Sequence, residues 1–187
     1  MINRTVADWQ RLQDLPALLK ELPALANELG FPYYSFTYTS LTHSVSTANL
    51  PPDGEKLIQV ALGSRPDNQR YSNVPVLWNE NAFRGASSLW PHAYALGLRH
   101  GWIQPLYDST THSNLTLLRP HVSLSIAERY EKTAWVMWLG ERLHLAATRD
   151  IPSLTGDHAP CAPSREAQDP AADSRSNASY TTETKRA

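Results

Sequence analysis

A chain of 187 residues, 41% hydrophobic and 19% charged, is long enough for one domain with a substantial core and some extra length. Its formal net charge of −1 excludes the global basic field that holds proteins on nucleic acid or an anionic membrane. The lone Cys161 excludes an internal disulfide, and no apolar run reaches the roughly 20 residues needed to span a bilayer. With no secretory leader pattern either, the expected setting is the cytoplasm.

Between Thr5 and Leu29, apolar residues from Val6 and Trp9 to Leu25 recur at three- and four-residue spacing, the mark of a helix with one buried stripe. Pro16 and Pro23 are expected to break it into short pieces, and Gly30 to end it. In Tyr33 to Thr39, Tyr34, Phe36 and Tyr38 alternate with small hydroxyl residues, as in a half-buried strand. A turn at Pro51-Pro52-Asp53-Gly54 precedes a short helical segment at Glu55 to Leu62, and Val74 to Trp78 reads as a further strand.

Phe83, Ala86, Trp90, Ala93 and Gly97 stand three and four apart, predicting one amphipathic helix from Glu80 to His100 despite Pro91. Gly101 to Tyr107 and Leu115 to Leu118 read as a hairpin turning near Thr110 to Ser113. Ser125-Ile126-Ala127-Glu128 has capping-box spacing and opens a last helix running to about Ala147. Helices around a meandering sheet make an α+β domain over 1–150, an α-β-α sandwich with a central antiparallel sheet. From 151 the apolar rhythm gives way to Pro, Ser, Ala, Asp and Arg, so 151–187 is expected to be a disordered tail.

Val74-Pro75-Val76-Leu77-Trp78, then Phe83, Trp90, Ala93, Gly97-Leu98-Arg99-His100-Gly101 and Pro105, resemble the centre of the LuxR-family autoinducer-binding domain. Leu115-Thr116-Leu117-Leu118-Arg119 is similar to that family's next strand, which usually turns a serine or threonine toward the ligand. The resemblance implies an N-acyl-homoserine lactone, or a similar apolar small molecule, held inside the sandwich. It also implies dimerisation and a following helix-turn-helix domain that reads DNA.

Two departures from the family pattern stand out. The family's Tyr-Pro-x-x-Trp-x-x-x-Tyr fits best from Leu50 onward, which puts Leu50, Gly54 and Ile58 in place of its three aromatics. Leu and Gly supply neither the indole donor nor the phenol donor that the family turns on its ligand. The nearest counterpart of the family's amide-binding aspartate is Asp67, in Pro-Asp order and closer to Trp78 than the pattern has it. After Pro152-Ser153-Leu154-Thr155, similar to the opening of the family's DNA-binding domain, neither amphipathic helices nor a basic recognition segment follows. A frameshift would leave such a tail.

The candidate ligand-binding residues are therefore Trp78, Thr116, Tyr38, Phe83, Trp90 and Asp67. Trp78 either closes a pocket or is a core aromatic at a strand end, and Thr116 either offers its hydroxyl to a ligand or packs as a β-branched residue. Tyr34, Tyr38, Phe83 and Trp90 fit a core role as well as a ligand role. His92, His100, His112 and His121 lack the paired spacing of a zinc site, so no metal or other cofactor is expected. Ser123 and Ser125 stand in no nucleophile elbow, and no glycine loop cradles phosphate, so the chain reads as a non-enzyme.

Trp135 to Leu139 make the last helix apolar on more than one side, as a covered core helix or a dimer face would be. The expected function is that of a truncated quorum-sensing regulator. It would sense or sequester a lactone-like signal, or form inactive homodimers or heterodimers with full-length LuxR-type regulators, without binding DNA or membrane itself. The alternatives are a regulator domain that binds no lactone and acts by protein contacts alone, and a small-molecule enzyme.

Overall fold

The computed structural model describes residues 8–153, beginning with helical turns at 8–11 and then α1 (Leu15–Glu28). The two prolines do not divide α1 as their sequence positions suggested. Pro16 sits in the first turn, where its missing N–H has no helical partner to lose, and the Asp14 carboxylate caps the helix by accepting from the Ala17 amide at 2.9 Å. Pro23 lies inside the helix, which continues because Leu18, Leu22 and Leu25 on either side of it are fully packed.

There follow β1 (Tyr33–Thr39), β2 (Ser44–Ala48), α2 (Gly54–Gly63), β3 (Val76–Trp78), α3 (Trp90–Ala95), β4 (His100–Tyr107), β5 (His112–Arg119) and α4 (Ile126–Ser153). The strands form one antiparallel sheet in the order β2-β1-β5-β4-β3, which makes the fold α+β. The edge strand β2, with its half-exposed Ser-Val-Ser-Thr-Ala, has too little apolar signal to be read from sequence. The β4–β5 turn falls at 108–111, so His112 and Ser113 already belong to a strand.

The single helix expected from Glu80 to His100 is instead two 3-10 turns, Glu80–Phe83 and Ser87–Leu89, followed by the six-residue α3. The Asn79 side chain accepts from the Asn81 amide and starts the first turn, the chain breaks at Gly85, and Pro91 takes a first-turn position that begins a new helix. The three- and four-residue spacing survives because Phe83 and Ala93 reach the same core from separate turns.

Alternation along the strands divides the sheet into two faces. Tyr34, Phe36, Tyr38, Trp102, Leu115 and Leu117 lie on the first, packed with α1 and α4 through Leu22, Val136, Leu139 and Leu143. On the second, Trp78, Ile103 and Leu118 pack with α2, the 3-10 turns and α3 through Leu57, Ile58, Phe83 and Ala93. The result is the expected α-β-α sandwich.

At one end of the sandwich the Arg119 guanidinium donates to both Glu128 carboxylate oxygens, at 2.7 and 2.8 Å, and to the carbonyls of Val122 and Ser123. Lys132 joins Glu128 at 2.7 Å and donates to the Leu29 carbonyl, tying β5, α4 and the end of α1 together. Ser125 caps α4 as its spacing implied, accepting from the Glu128 amide at 3.1 Å, while the Glu128 side chain turns to Arg119 rather than back to the cap. The α4 helix also outruns its expected end at Ala147. Of the expected tail at 151–187, residues 154–187 lie outside the described residues, as does Cys161.

Candidate ligand-binding site

The second face of the sheet carries polar residues in its middle. In the β1–β5 register Ser35 stands opposite Thr116 and Thr37 opposite Asn114, so four polar side chains occupy adjacent positions on the two central strands. Together with Glu55, Lys56, Ile58 and Gln59 of α2 they line a cavity of about 240 Å³.

The polar floor is incompletely satisfied. Ser35, Thr116 and Asn114 are 3%, 1% and 7% exposed, yet the Thr116 hydroxyl and the Asn114 side-chain carbonyl have no hydrogen-bond partner. Each such orphan costs about 1–3 kcal/mol, so two beside one cavity mark a place where a bound molecule recovers energy. Asn114 makes only a long 3.5 Å contact from its amide nitrogen to the Thr37 hydroxyl.

Among the six candidate ligand-binding residues, Thr116 alone lines this cavity. Trp78, Phe83 and Trp90 lie in the same layer as an aromatic run, with ring centroids 5.1 Å apart for Trp78–Phe83 and 5.8 Å for Phe83–Trp90. The Trp78 indole N–H donates to the Leu98 carbonyl at 2.8 Å, so its one polar group is spent inside the protein. Tyr38 points to the opposite face, where its ring lies 5.8 Å from that of His144. Asp67 is not brought to the cavity: its side chain is 94% exposed and pairs with Arg70 at 3.2 Å.

Leu50, Gly54 and Ile58, which the sequence resemblance sets against aromatics, are also structurally committed. A Cβ on buried Gly54 would lie 2.9 Å from Leu50 Cβ and 3.5 Å from Leu98 Cδ1, so those leucines fill the space a larger side chain would need. Ile58 is 4% exposed and forms part of the cavity wall. Ser35, Thr37 and Asn114 are not among the sequence candidates because the apolar rhythm of β1 marks its aromatics rather than its hydroxyls. The alternating hydroxyls were visible, but their pairing with Asn114 and Thr116 is a matter of strand register.

Two histidines are held toward neutrality. Burial lowers the His144 pKa, and the nearby His112 adds to that effect against the pull of Asp108; its Nδ1 lies 2.8 Å from the Ser113 hydroxyl on the first face. Burial also lowers that of His100, with Arg119 and Arg99 acting in the same direction. Neither lines the cavity. Among the described residues no three His, Cys, Asp or Glu side chains gather as a metal-binding group, and no helix is long and apolar enough to cross a membrane.

No protein-family model and no curated protein matches the chain. Solved structures do. The crystal structure of CepR2 from Burkholderia cenocepacia, an N-acylhomoserine lactone dependent LuxR-family transcription factor, superposes with a TM-score of 0.56 at 24% identity, covering 82% of this chain and 95% of that one. The crystal structure of Escherichia coli SdiA gives a TM-score of 0.60 at 22% identity, over 79% of this chain and 66% of that one. The solution structure of SdiA residues 1–171 gives 0.59 at 22% identity, over 79% and 92%. SdiA in complex with octanoyl-rac-glycerol gives 0.57 at 21% identity, over 80% and 66%. The described domain thus has the fold seen in CepR2 and SdiA, as the resemblance of its central motifs implied.

Proposed function

We propose that this domain is a receptor for a small neutral signal with a polar head, and that it acts through protein contacts rather than by catalysis. The observation that carries the reading is the pair of orphaned polar atoms, Asn114 Oδ1 and Thr116 Oγ1, on the floor of a cavity under α2. A hydroxyl or amide donor of the ligand satisfies the Asn114 carbonyl, and the Thr116 hydroxyl donates to a ligand carbonyl or accepts from a second donor. The fold shared with a lactone-dependent factor and with a protein in complex with octanoyl-rac-glycerol supports an acyl-lactone-like ligand class.

The cavity, at about 240 Å³, lies below the ~300–1,000 Å³ usual for drug-sized ligands, and Leu50 and Leu98 close the space beside Gly54. The site as it stands suits a compact ligand better than a long-chain lactone. Thermal unfolding in the presence of short- and medium-chain acyl-homoserine lactones and octanoylglycerol tests this. A ligand at a hundred times its dissociation constant stabilises by about 2.7 kcal/mol. Failure of every one of these compounds to raise the melting temperature would remove the lactone-like reading.

Pairing through α4 is the second element of the proposal. Ile126, Tyr130, Met137 and Leu145 are 70%, 81%, 45% and 59% exposed and recur along the outer side of the helix. Trp135 and Trp138 turn inward against the first-face core, as the covered-helix alternative has it, and within Trp135 to Leu139 Met137 alone belongs to this outer ridge. The partner proposed for this ridge is a full-length LuxR-type regulator. Co-purification with such a regulator is the check, and absence of association at micromolar concentrations removes this part.

A further inference from the structure

A second cavity, of about 370 Å³, lies between the end of α2, the edge strand β3 and the 3-10 turn after it. Arg65 lines it and is only 9% exposed. Its Nη2 donates to the Ser72 carbonyl at 3.0 Å, while its Nη1 is buried with no hydrogen-bond partner. Arg84 lines the same cavity and has neither an ion pair nor a hydrogen bond among the described residues.

Among the described residues no acidic side chain lines this space. Asp67, the acid nearest in sequence to Arg65, is spent on Arg70, and Glu80 is exposed outside the lining. Position at the carboxyl end of α2 accounts for part of the preference for a cation there, because the helix dipole favours positive charge at that end. It leaves Nη1 unpaired, however, and a guanidinium removed from water without a counter-charge is costly. Two arginines, one of them buried and half satisfied, with no carboxylate between them, present the donor fork that binds carboxylate and phosphate oxygens.

We propose that this cavity is a separate binding site for a small organic anion, whose carboxylate or phosphate group pairs with Arg65 and Arg84. At about 370 Å³ it exceeds by far the ~30 Å³ share of one water, so it holds more than a bare ion. The rest of the ligand rests on Val76 and Ala82, and the Asn81 side chain is on hand for a further hydrogen bond. The site is independent of the polar floor at Asn114 and Thr116, which lines the other cavity.

The test is thermal unfolding of the full chain titrated with succinate and, separately, inorganic phosphate, at ionic strength held constant with sodium chloride. The expected result is a saturable rise in melting temperature. Arg84→Ala should weaken the apparent affinity at least tenfold, Arg65→Gln should abolish the response, and Lys20→Ala, removing an equal charge from the exposed side of α1, should leave it unchanged. A response to succinate alone identifies a carboxylate ligand, and a response to phosphate alone a phosphorylated one. No saturable response to either probe, or an equal response in wild type and Arg84→Ala, overturns the proposal. Because Arg84 is exposed, that comparison stands even if Arg65→Gln does not fold.

Discussion

The two faces of the sheet share their strands and differ in what covers them. On the first, two helices close over Tyr34, Phe36, Leu115 and Leu117; the Ser113 hydroxyl meets His144, Arg119 is held by Glu128 and two carbonyls at the end of the layer, and the Gln104 side-chain carbonyl is left without a partner. On the second, the short α2 and broken turns cover the same strands incompletely, leaving Asn114 and Thr116 unsatisfied. Arg65 is half satisfied in the same layer of short elements. The long helices leave the first face one orphaned acceptor, at Gln104, whereas the short elements of the second leave a cavity whose floor holds two orphaned polar atoms.

The sharpest way to break this division is to damage what both faces share. Gly101 has φ +152°, and a Cβ there would lie 1.9 Å from the Leu117 carbonyl oxygen, so Gly101→Ala should push β4 off β5 and cost roughly 4 kcal/mol or more in urea unfolding. Leu143→Ala empties a fully buried position on the first face and should cost about 3 kcal/mol by the same measurement. Glu128→Gln should cost about 2–3 kcal/mol, between the values for exposed and buried ion pairs.

Acid should loosen the first face before it touches the cavity floor, which holds no histidine. His144 is held neutral in the fold, while in the unfolded chain it titrates near 6.5. The unfolded state therefore takes up more protons, and the stability contributed by neutral His144 is complete above 6.5 and is lost as pH falls through that value. His100 acts in the same direction, and His144→Gln should reduce the slope of stability against pH between 7 and 5 without removing it. Glu128, lowered from 4.5 to about 2 chiefly by its hydrogen bond to Arg119, adds a second loss as pH falls from 4.5 toward 2.

The smallest effect on stability tests the second face most directly. Thr116→Val removes an unpaired buried hydroxyl at nearly constant volume, so it should be neutral or stabilising by up to about 1 kcal/mol, as thermal unfolding would show. In the same protein the response to a lactone or monoacylglycerol that stabilises the wild type should fall. A large destabilisation would mean that Thr116 is satisfied within the fold, and the contrast between the faces would weaken.

Strands β1, β4 and β5 were readable because each carries a strong apolar rhythm, and α4 because its cap and periodicity agree. The segment from Glu80 to His100 departs from the single helix its spacing predicts because periodicity reports which residues face the core, not whether one continuous helix carries them. Phe83 and Ala93 are both fully buried and belong to separate turns. Tyr38 and Thr116 were grouped as ligand candidates from sequence, yet they lie on opposite faces of adjacent strands. The side chain of a single strand residue says which neighbours share its face, but not which face holds the cavity.

By itself the sequence determined the α+β class, the apolar faces and the end-capping of the last helix, because periodicity and capping are local properties of the chain. It also carried the central motif run whose resemblance pointed to the fold found in CepR2 and SdiA. Only the tertiary structure decided that Ser35, Thr37, Asn114 and Thr116 form one patch and that Arg65 and Arg84 border one cavity. Strand register and the meeting of distant loops bring those groups together, and neither leaves a periodic mark in the sequence.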